Sequence, residues 1–353
     1  MSNILVIGDY KTVGNDCVDY LRALKTTSHN IAARTFLKGG IINDFNRDIV
    51  KLEDNVFDEH PEVVFQMVPP EYMTPQAGAL NVAFVKAYHA MSMIQIAKLQ
   101  LMDKIVVQTD REKKLLEQVL DVPVFDLKGL PLKQDIKVEE VVPFEDIDGF
   151  YPSDFIFYFI GQYIERKNVR VLIEAFHREF LPSESVQLVI KTSLHNTLPH
   201  ELFTSTKQGI TEFKNTLKRF SDSSRYRTEY IVTEHLSVEE LYQMHAMCDC
   251  FVMPSYQESI NKPALEAMQF GNQVISSTGL IGSYTDVAPD GTDIKFLKAL
   301  GANTEVPNVS VKNVMEAMRL AYVKRDIKQQ QQVFPEYSYE VIGTKLARIL
   351  EWT

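Results

Sequence analysis

The stretch 256–268 reads Tyr-Gln-Glu-Ser-Ile-Asn-Lys-Pro-Ala-Leu-Glu-Ala-Met, with two carboxylates eight positions apart. An apolar run at 250–255 precedes it and predicts a buried strand. Pro263 suits the first turn of a helix, where a missing N–H is harmless, so we expect Glu258 in a strand-to-helix loop and Glu266 on the helix. Free N–H groups at such a junction attract anions. The stretch therefore suits a ligand that is both a phosphate and a polyol, such as a nucleotide sugar.

This stretch resembles the E-x7-E motif of retaining family-4 glycosyltransferases, which have the GT-B fold. The resemblance implies that Glu266 holds the ribose hydroxyls of the donor and that Glu258 lies by the donor sugar. The loop residues expected to contact the donor are Ser259, Ile260, Asn261 and Lys262. The family usually has two glycines in this loop and both are absent here; Asn261 tolerates a positive φ and is expected to keep the loop's shape. The alternative is a surface helix with two unrelated glutamates.

A second segment contains paired cations. The run 155–161 is aromatic and β-branched and predicts a strand ending in Gly161, and 169–180 predicts an amphipathic helix. Arg166 and Lys167 lie in the loop between them, which faces the carboxyl end of a sheet, where such folds bind ligands. The segment resembles the family's Gly-Arg…Arg-Lys-Asn sequence, whose cations neutralise the donor diphosphate. Gln162 stands in place of the first arginine, and the alternative interpretation is a solvated helix start.

The segment between these two motifs alternates strands and helices. The runs 186–191 and 230–233 predict strands, and Ser237 with Glu240 forms a capping box that opens a helix. In the family, backbone groups just before this helix contact the nucleobase, and His235 and Leu236 occupy that position here. His235 is otherwise an ordinary loop residue. This alternation predicts a doubly wound parallel sheet.

The N-terminal half resembles the family mainly in architecture. A strand at 3–8 is followed by a loop in which Gly14 takes the place of a family glycine, although an ordinary tight turn explains it equally well. His89 lies about where some members place an acceptor-side residue, and its alternative interpretation is a core or surface histidine. We therefore predict an acceptor side near Gly14 and His89.

The length of 353 residues suggests two domains. We predict an α/β GT-B fold of two Rossmann-like doubly wound domains facing a cleft. Residues 1–150 would bind the acceptor and residues 151–353 the nucleotide sugar, with a last helix at about 337–352 crossing back to the N-terminal domain. Asp146-Ile147-Asp148 matches the D-x-D pattern of metal-dependent glycosyltransferases, but it lies in the predicted linker 141–154 and follows no strand.

Composition excludes several classes. No apolar stretch reaches the ~20 residues of a membrane span, and no secretory signal opens the chain. The cysteines, Cys17, Cys248 and Cys250, form no disulfide framework and no zinc spacing with histidine, which favours a cytoplasmic protein. Residues 1–150 contain 16 basic and 23 acidic residues, a balance of −7 within a net charge of −10. That balance argues against nucleic acid, while a local patch leaves room for peripheral membrane contact.

The sequence thus predicts a cytoplasmic, retaining hexosyltransferase that needs neither metal nor cofactor. Its donor would be a UDP- or GDP-sugar and its acceptor a glycan or another hydroxyl compound. One alternative is a catalytically silent GT-B protein that binds a nucleotide sugar, favoured by the lost arginine and glycines. The other is an enzyme that glucosylates nucleic acid, which would need a basic acceptor cleft.

Overall fold

The computed structural model describes residues 2–12, 16–36, 46–86, 91–142, 153–194, 197–220, 225–277, 284–287, 290–297, 302–327 and 329–351. The strands are β1 Asn3–Gly8, β2 Asn30–Thr35, β3 Val63–Met67, β4 Leu80–Phe84, β5 Lys104–Val107, β6 Val124–Asp126, β7 Phe155–Ile160, β8 Val186–Lys191, β9 Tyr230–Val232, β10 Cys250–Met253, β11 Gln273–Ser276, β12 Thr285–Asp286, β13 Thr292–Leu297 and β14 Ala302–Pro307. The helices are α1 Cys17–Lys25, α2 Arg47–Val50, α3 Met93–Leu99, α4 Asp110–Leu116, α5 Val169–Glu179, α6 Pro199–Leu217, α7 Val238–Met247, α8 Lys262–Gln269, α9 Val311–Val323 and α10 Tyr339–Ile349.

The chain divides into two compact units. The first unit comprises Met1–Asp135 and Phe334–Thr353, and the second comprises Ile136–Val333. The division lies before residue 150, the boundary expected from the sequence. The C-terminal segment with α10 is part of the first unit. In the part of the chain that the structure covers, no helix is long and apolar enough to cross a membrane.

The first unit is a doubly wound parallel sheet with strand order β2-β1-β3-β4-β5-β6. Its strands are apolar on both faces; Val63, Val64 and Phe65 of β3 are all fully buried. Parallel strands flanked by helices are buried on both sides, which explains these continuous apolar runs. The chain leaves β1 for β2 on one side and later adds β3 on the other side. The loops after β1 and β3 therefore lie at the topological switch point, where such folds bind ligands.

The last helix completes the core of the first unit. Its residues Ile342, Leu346 and Leu350 belong to the buried cluster built on β1 and α1. Gly343 faces α1 at close range, and a Cβ at this position would meet the carbonyl oxygen of Ala23 and lie 2.8 Å from Oγ1 of Thr26. Helix α10 can approach α1 this closely because residue 343 has no side chain.

The second unit is also a doubly wound parallel sheet, with strand order β12-β11-β10-β7-β8-β9. Strands β13 and β14 form a separate antiparallel hairpin. The chain runs from β7 outward to β8 and β9 and then returns to place β10 on the other side of β7. The loops after β7 and β10 are therefore neighbours at the switch point of this sheet. These are the two loops in which the sequence places the paired cations and the first glutamate.

The helix packing predicts a stability effect at Gly343. Overpacking a tight contact typically costs ~1–3 kcal/mol, whereas a helical Gly→Ala substitution gains ~0.5–1 kcal/mol in propensity. We expect Gly343→Ala to lower the free energy of unfolding by a net amount on the order of 1 kcal/mol. Denaturant unfolding followed by circular dichroism measures this change.

Gly209→Ala is the matched control, because a Cβ at position 209 within α6 would meet no heavy atom within 4 Å. That variant should be as stable as the parent or more stable. Equal stabilisation by both substitutions would contradict the close approach of α10 to α1.

Candidate active site

Glu258 joins the loops after β7 and β10. Its Oε1 atom lies 2.7 Å from Nζ of Lys167 and 2.9 Å from Nη1 of Arg166. The same atom accepts a hydrogen bond from Oγ of Ser255 at 2.6 Å. The side chain of Glu258 is only 6% exposed. Burial by itself raises the pKa of this carboxyl, but the charges of Lys167 and Arg166 and the hydrogen bonds outweigh it and hold the pKa below its usual value. Glu258 is therefore an ionised, nearly buried carboxylate at neutral pH.

Backbone hydrogen bonds fix the same two loops to each other. The amide of Tyr256 donates to the carbonyl oxygen of Arg166 at 2.9 Å, and Nη1 of Arg166 donates to the carbonyl oxygen of Gln257 at 2.6 Å. Asn168 ends the loop that contains Arg166 and Lys167, which we call the cation loop. It has the left-handed conformation, with φ of 52°, and its amide donates to the carbonyl of Glu165. Asparagine tolerates this conformation better than most residues. The sequence Arg-Lys-Asn thus turns the cations toward Glu258 and then starts α5.

The second oxygen of Glu258 differs from the first. Oε2 has no hydrogen bond to any residue within the described ranges, and it is not among their buried unpartnered atoms. A carboxylate oxygen in this state can accept a hydroxyl from a ligand. The cluster of Glu258, Lys167 and Arg166 therefore offers both cationic donors and a hydroxyl acceptor.

Glu266 lies on α8 in the same unit, with its side chain 8% exposed. Its Oε1 lies 3.5 Å from Nζ of Lys262, and its Oε2 lies 3.9 Å from Nε2 of His245. Burial raises the pKa of this carboxyl, but the charge of Lys262 and the interaction with His245 outweigh it and lower the pKa below its usual value. Both contacts are longer than ordinary hydrogen bonds, so the ionised carboxylate retains capacity to accept two hydroxyls.

A buried chain of polar groups orients His245. Asn272 donates from Nδ2 to the hydroxyl oxygen of Tyr158 at 2.8 Å and to the carbonyl of His245 at 2.7 Å. The same hydroxyl is hydrogen-bonded to Nδ1 of His245, 2.7 Å away. Nε2 of His245 lies 3.9 Å from Oε2 of Glu266 and has no hydrogen-bond partner among the described residues. Tyr158 and Asn272 thereby fix the orientation of the ring beside this carboxylate.

The start of α8 corrects one expectation from the sequence. Asn261 was expected to replace a loop glycine by adopting a positive φ, but its φ is −88°. Instead it caps α8, and its Oδ1 accepts the amide of Ala264 at 3.4 Å. Asn261 is thus a helix cap and not a glycine substitute, because a short amide side chain bonds the first-turn N–H groups. Its Nδ2 atom and Oε1 of Gln257 are buried without a partner in the described part of the chain.

The other predicted donor residues lie in the same unit. Gly161 and Gln162 follow β7, and Gln162 is exposed. Ser259 and Ile260 lie half-buried between Glu258 and the cap of α8, while Leu236 is buried before α7 and His235 precedes it. The acceptor-side predictions, Gly14 and His89, lie outside the described residues.

A cavity of about 350 Å³ lies in the first unit, at the carboxyl ends of β3 and β4. Its apolar wall includes Met67, Phe84 and Met91, and an ion pair between Lys86 and Asp16 supplies its charged wall. The charges of Lys86 and Asp16 cancel each other on the cavity wall, although the sequence of the first unit is acidic as a whole.

Several buried polar residues of the second unit were not predicted from the sequence. Tyr158 lies in the aromatic strand β7 and His245 in helix α7, so their positions in the sequence do not distinguish them from core residues. Lys191 ends β8, whose other residues are apolar except Gln187, and it is 4% exposed; a lysine at the end of a mostly apolar strand was an available signal. Among the described residues, no group of three or more His, Cys, Asp or Glu is arranged to hold a metal ion.

Comparison with known families gives a match within the second unit. Residues 144–298 match the family described as "Glycosyl transferases group 1". This range includes both the cation loop and the two glutamates. A comparison with curated protein sequences gives no match.

Solved structures resemble the whole chain. Sucrose-phosphate synthase from Thermosynechococcus elongatus superposes with a TM-score of 0.62 at 12% identity, covering 98% of both chains. An α,α-trehalose-phosphate synthase (UDP-forming) from Burkholderia xenovorans, in complex with glucose-6-phosphate, gives 0.61 at 10% identity, covering 99% of this chain and 100% of its own. A glycosyltransferase from Rickettsia africae gives 0.58 at 12% identity, covering 98% and 97%.

The chain therefore has the GT-B fold, an α/β architecture of two Rossmann-like units, as the sequence predicted. The matched domain and the shared fold support a nucleotide-sugar glycosyltransferase. The family-4 assignment, its E-x7-E motif and the roles of individual residues stay predictions.

The charge cluster predicts how stability depends on pH. Because the folded-state pKa of Glu258 is lowered, its stabilisation is present at neutral pH and is lost as the pH falls below the ~4.3 of an unfolded glutamate. Glu258→Gln should lower the free energy of unfolding at pH 7 by ~3–5 kcal/mol, the typical cost of removing one partner of a buried pair. Denaturant unfolding at several pH values should show this deficit shrinking below ~pH 4.3.

Glu316→Gln on α9 is the matched control, since the Glu316 side chain is 67% exposed and its ion pair with Lys312 spans 3.7 Å. This variant should differ little from the parent at any pH. A Glu258→Gln deficit that is independent of pH would contradict an ionised Glu258.

Proposed function

We propose that this protein transfers a sugar from a nucleoside-diphosphate donor to a hydroxyl acceptor, with retention of anomeric configuration and without a metal ion. The observation that carries the proposal is the cluster of Lys167, Arg166 and Glu258 at the switch point of the second sheet. This cluster lies inside the range that matches glycosyltransferases.

Charge stabilisation explains how such a site assists the reaction. The leaving group is a nucleoside diphosphate, whose negative charge grows as the glycosidic bond breaks. Lys167 and Arg166 supply fixed positive charge, and the N-terminal end of α8 adds the positive end of its helix dipole. These groups act in place of a metal ion and need no reorganisation during the reaction.

The two glutamates divide the recognition of the donor. Glu266 accepts the ribose hydroxyls, since its carboxylate has no short hydrogen bond to the rest of the described chain. Glu258 places Oε2 toward a hydroxyl of the transferred sugar while Oε1 holds the cations. The retaining course rests on the resemblance of 256–268 to the family-4 motif. In that course the acceptor attacks from the face that the diphosphate leaves, and a donor phosphate oxygen helps to take the acceptor proton.

The acceptor is a hydroxyl compound, and a glycan suits the cavity of the first unit. Apolar walls such as Met67 and Phe84 pack against the C–H face of a sugar ring, and the Asp16–Lys86 pair bonds its hydroxyls. The donor is a UDP- or GDP-sugar; one neighbour is described as UDP-forming. The three free cysteines are all buried, which agrees with a reducing cytoplasm. No further cofactor is needed for this chemistry.

A silent nucleotide-sugar binder is the second candidate. Gln162 is exposed where the family has an arginine, so the second unit has one cation fewer at the diphosphate. Both remaining cations of the loop already contact Glu258. Binding without transfer would follow if the diphosphate cannot recruit them.

The first test is sugar transfer by the Lys167→Ala variant. Removing one preorganised donor of this kind typically lowers turnover ~10²–10³-fold, and we expect a loss of that size with the fold retained. The assay follows a panel of UDP- and GDP-sugars with glycan acceptors by NMR, which also reports the anomeric configuration of the product.

Lys312→Ala is the matched control, because Lys312 is 80% exposed on α9; it should leave turnover unchanged. A chelator in the parent assay should also leave turnover unchanged. Normal turnover by Lys167→Ala would place the diphosphate elsewhere, and a strict requirement for Mn²⁺ or Mg²⁺ would contradict the metal-independent mechanism.

A second test separates ribose recognition from phosphate recognition. Glu266→Gln removes the charge that accepts the ribose hydroxyls, so it should weaken UDP or GDP and their sugar conjugates together by ~1.5–3 kcal/mol. Pyrophosphate has no ribose and should bind the variant as it binds the parent. Calorimetric titration of both proteins with all three ligands measures this.

Glu316→Gln again controls for loss of an unrelated carboxylate. If Glu266→Gln weakens pyrophosphate as much as the nucleotides, Glu266 does not hold the ribose. If the nucleotides bind as expected but no sugar leaves any donor, the silent binder is the correct function.

A further inference from the structure

His245 on α7 is a buried histidine to which the mechanism above gives no role. Its side chain is fully buried, and its ring stacks on Phe270, next to the end of α8, with the ring centroids 5.4 Å apart. Its Nε2 atom has no hydrogen-bond partner among the described residues, and it faces Oε2 of Glu266 across 3.9 Å. Buried polar atoms are nearly always hydrogen-bonded. The unpartnered nitrogen beside the carboxylate therefore points to a state of the protein in which the two groups meet.

The carboxylate of Glu266 can accept hydrogen bonds from its neighbours and from a ribose at the same time. An ionised carboxylate has about four acceptor positions on its two oxygens. Nζ of Lys262 lies 3.5 Å from Oε1, and Nε2 of His245 lies 3.9 Å from Oε2. With one neighbour at each oxygen, each oxygen keeps a position for a hydroxyl. A donor on one side alone would draw the carboxylate toward itself, whereas donors on both sides hold it between them.

The contact with Tyr158 decides which way the imidazole ring faces. Nδ1 of His245 lies 2.7 Å from the hydroxyl of Tyr158, and that hydroxyl also accepts Nδ2 of Asn272 at 2.8 Å. Asn272 is fixed in turn by its bond to the backbone carbonyl of His245 at 2.7 Å. Turning the ring over would place a C–H group where Nδ1 meets the hydroxyl and another where Nε2 faces Glu266. The hydroxyl therefore favours the orientation with Nε2 toward the carboxylate.

The position of Nε2 beside a carboxylate favours a proton on this nitrogen. Without the proton, Nε2 would direct its lone pair at the negative charge of Glu266, and two acceptors cannot bond each other. With the proton it can donate to Oε2, and hydrogen bonds to a charged group are stronger than those between neutral groups. The distance of 3.9 Å exceeds the length of a hydrogen bond, so the carboxylate has to move by about 1 Å for the bond to form. Binding of a ribose can supply that movement.

We propose that His245 is a positioning residue that acts on the donor through Glu266. It reaches no ligand itself; it donates its Nε2–H to Oε2 of Glu266 and holds the carboxylate in the orientation in which both oxygens accept ribose hydroxyls. Tyr158 and Asn272 keep the ring in the orientation that this bond needs. The inference rests on the proposed nucleotide-sugar function and adds a residue that determines its specificity for the sugar of the nucleotide.

Discrimination between ribose and 2′-deoxyribose follows from this role. A 2′-deoxynucleotide lacks one of the two hydroxyls and leaves an acceptor position of the ionised Glu266 unfilled. Sites built to bond a hydroxyl reject analogues that lack it. That rejection requires a carboxylate held in place, because a mobile one turns to the remaining hydroxyl or to Lys262. The loss of His245 should therefore narrow the preference for ribose, and it should leave the binding of the phosphates unchanged.

Calorimetric titration of the full chain with UDP, GDP, their 2′-deoxy forms and pyrophosphate tests the inference. The parent should bind its preferred ribonucleotide at least ~10-fold more tightly than the 2′-deoxy form, the effect of one hydrogen bond to a charged group. His245→Asn replaces the Nδ1 side of the ring and leaves no donor at the position of Nε2. This variant should reduce the ratio to under ~3-fold through weaker binding of the ribonucleotide. Its affinity for pyrophosphate should stay that of the parent.

His245→Gln is the matched variant, because its longer amide side chain can return an N–H to Oε2 of Glu266. It should keep a ratio of ~5-fold or more, whereas a merely structural role would give the two amide variants the same loss. His200→Asn, at an exposed histidine of α6, controls for the substitution itself and should keep the ratio of the parent.

Tyr158→Phe keeps the ring of His245 but lets it turn over, and it decides the question if His245→Asn does not fold. Sharing the competent orientation with its reverse should weaken the ribonucleotide by ~2-fold or more and spare pyrophosphate. An unchanged ratio in both His245→Asn and Tyr158→Phe, equal losses in His245→Asn and His245→Gln, or equal weakening of pyrophosphate would overturn the role of His245 while the proposed function stands. A parent that binds ribose and deoxyribose forms equally would also overturn it, and a parent that binds no nucleotide would overturn both.

Discussion

The ionised carboxylate of Glu258 is the interaction on which the candidate site depends. One of its oxygens forms ion pairs with a lysine and an arginine and accepts a hydrogen bond from a serine hydroxyl. These partners come from the loops after β7 and β10. Removing a carboxylate and two cations from water is costly, and the mutual attraction compensates only when the geometry is good. The backbone bonds between Tyr256 and Arg166 and between Arg166 and Gln257 supply that geometry. The two loops therefore form one preorganised unit.

Preorganisation of this kind matters for a reaction that expels a diphosphate. Charges held in place by a protein stabilise a developing anion more effectively than water does, because they need no reorientation. Glu258 pairs with Arg166 and Lys167 and partly neutralises their charge. In the proposed function, the same contact orders the two cations and moderates their affinity for the donor diphosphate. Glu266 is set differently, since its neighbours Lys262 and His245 lie at longer distances and leave its oxygens available.

Local sequence signals predicted the fold and the order of its elements. The capping box of Ser237 and Glu240 forms as predicted at the start of α7, and apolar runs such as 155–160 and 250–253 are central strands. Contacts between distant segments could not be predicted in this way. The hydrogen bonds that link Asn272, Tyr158 and His245 join three segments that are distant in the sequence, so no sequence spacing indicates them. Asn261 was misjudged because a cap and a left-handed turn favour the same residue type.

The low identity to the structural neighbours indicates what the GT-B fold requires. At 10–12% identity few individual contacts can be shared, yet the architecture extends over nearly the whole chain. What the doubly wound sheet preserves is the position of its carboxyl edge, where β10, β7, β8 and β9 end side by side. Each strand end can then carry different chemistry without disturbing the core. In this chain the loops after β7 and β10 hold the charge cluster, while β8 ends in Lys191 and Thr233 follows β9. The chemistry at one strand end can therefore change independently of the charge cluster, because different strands carry them.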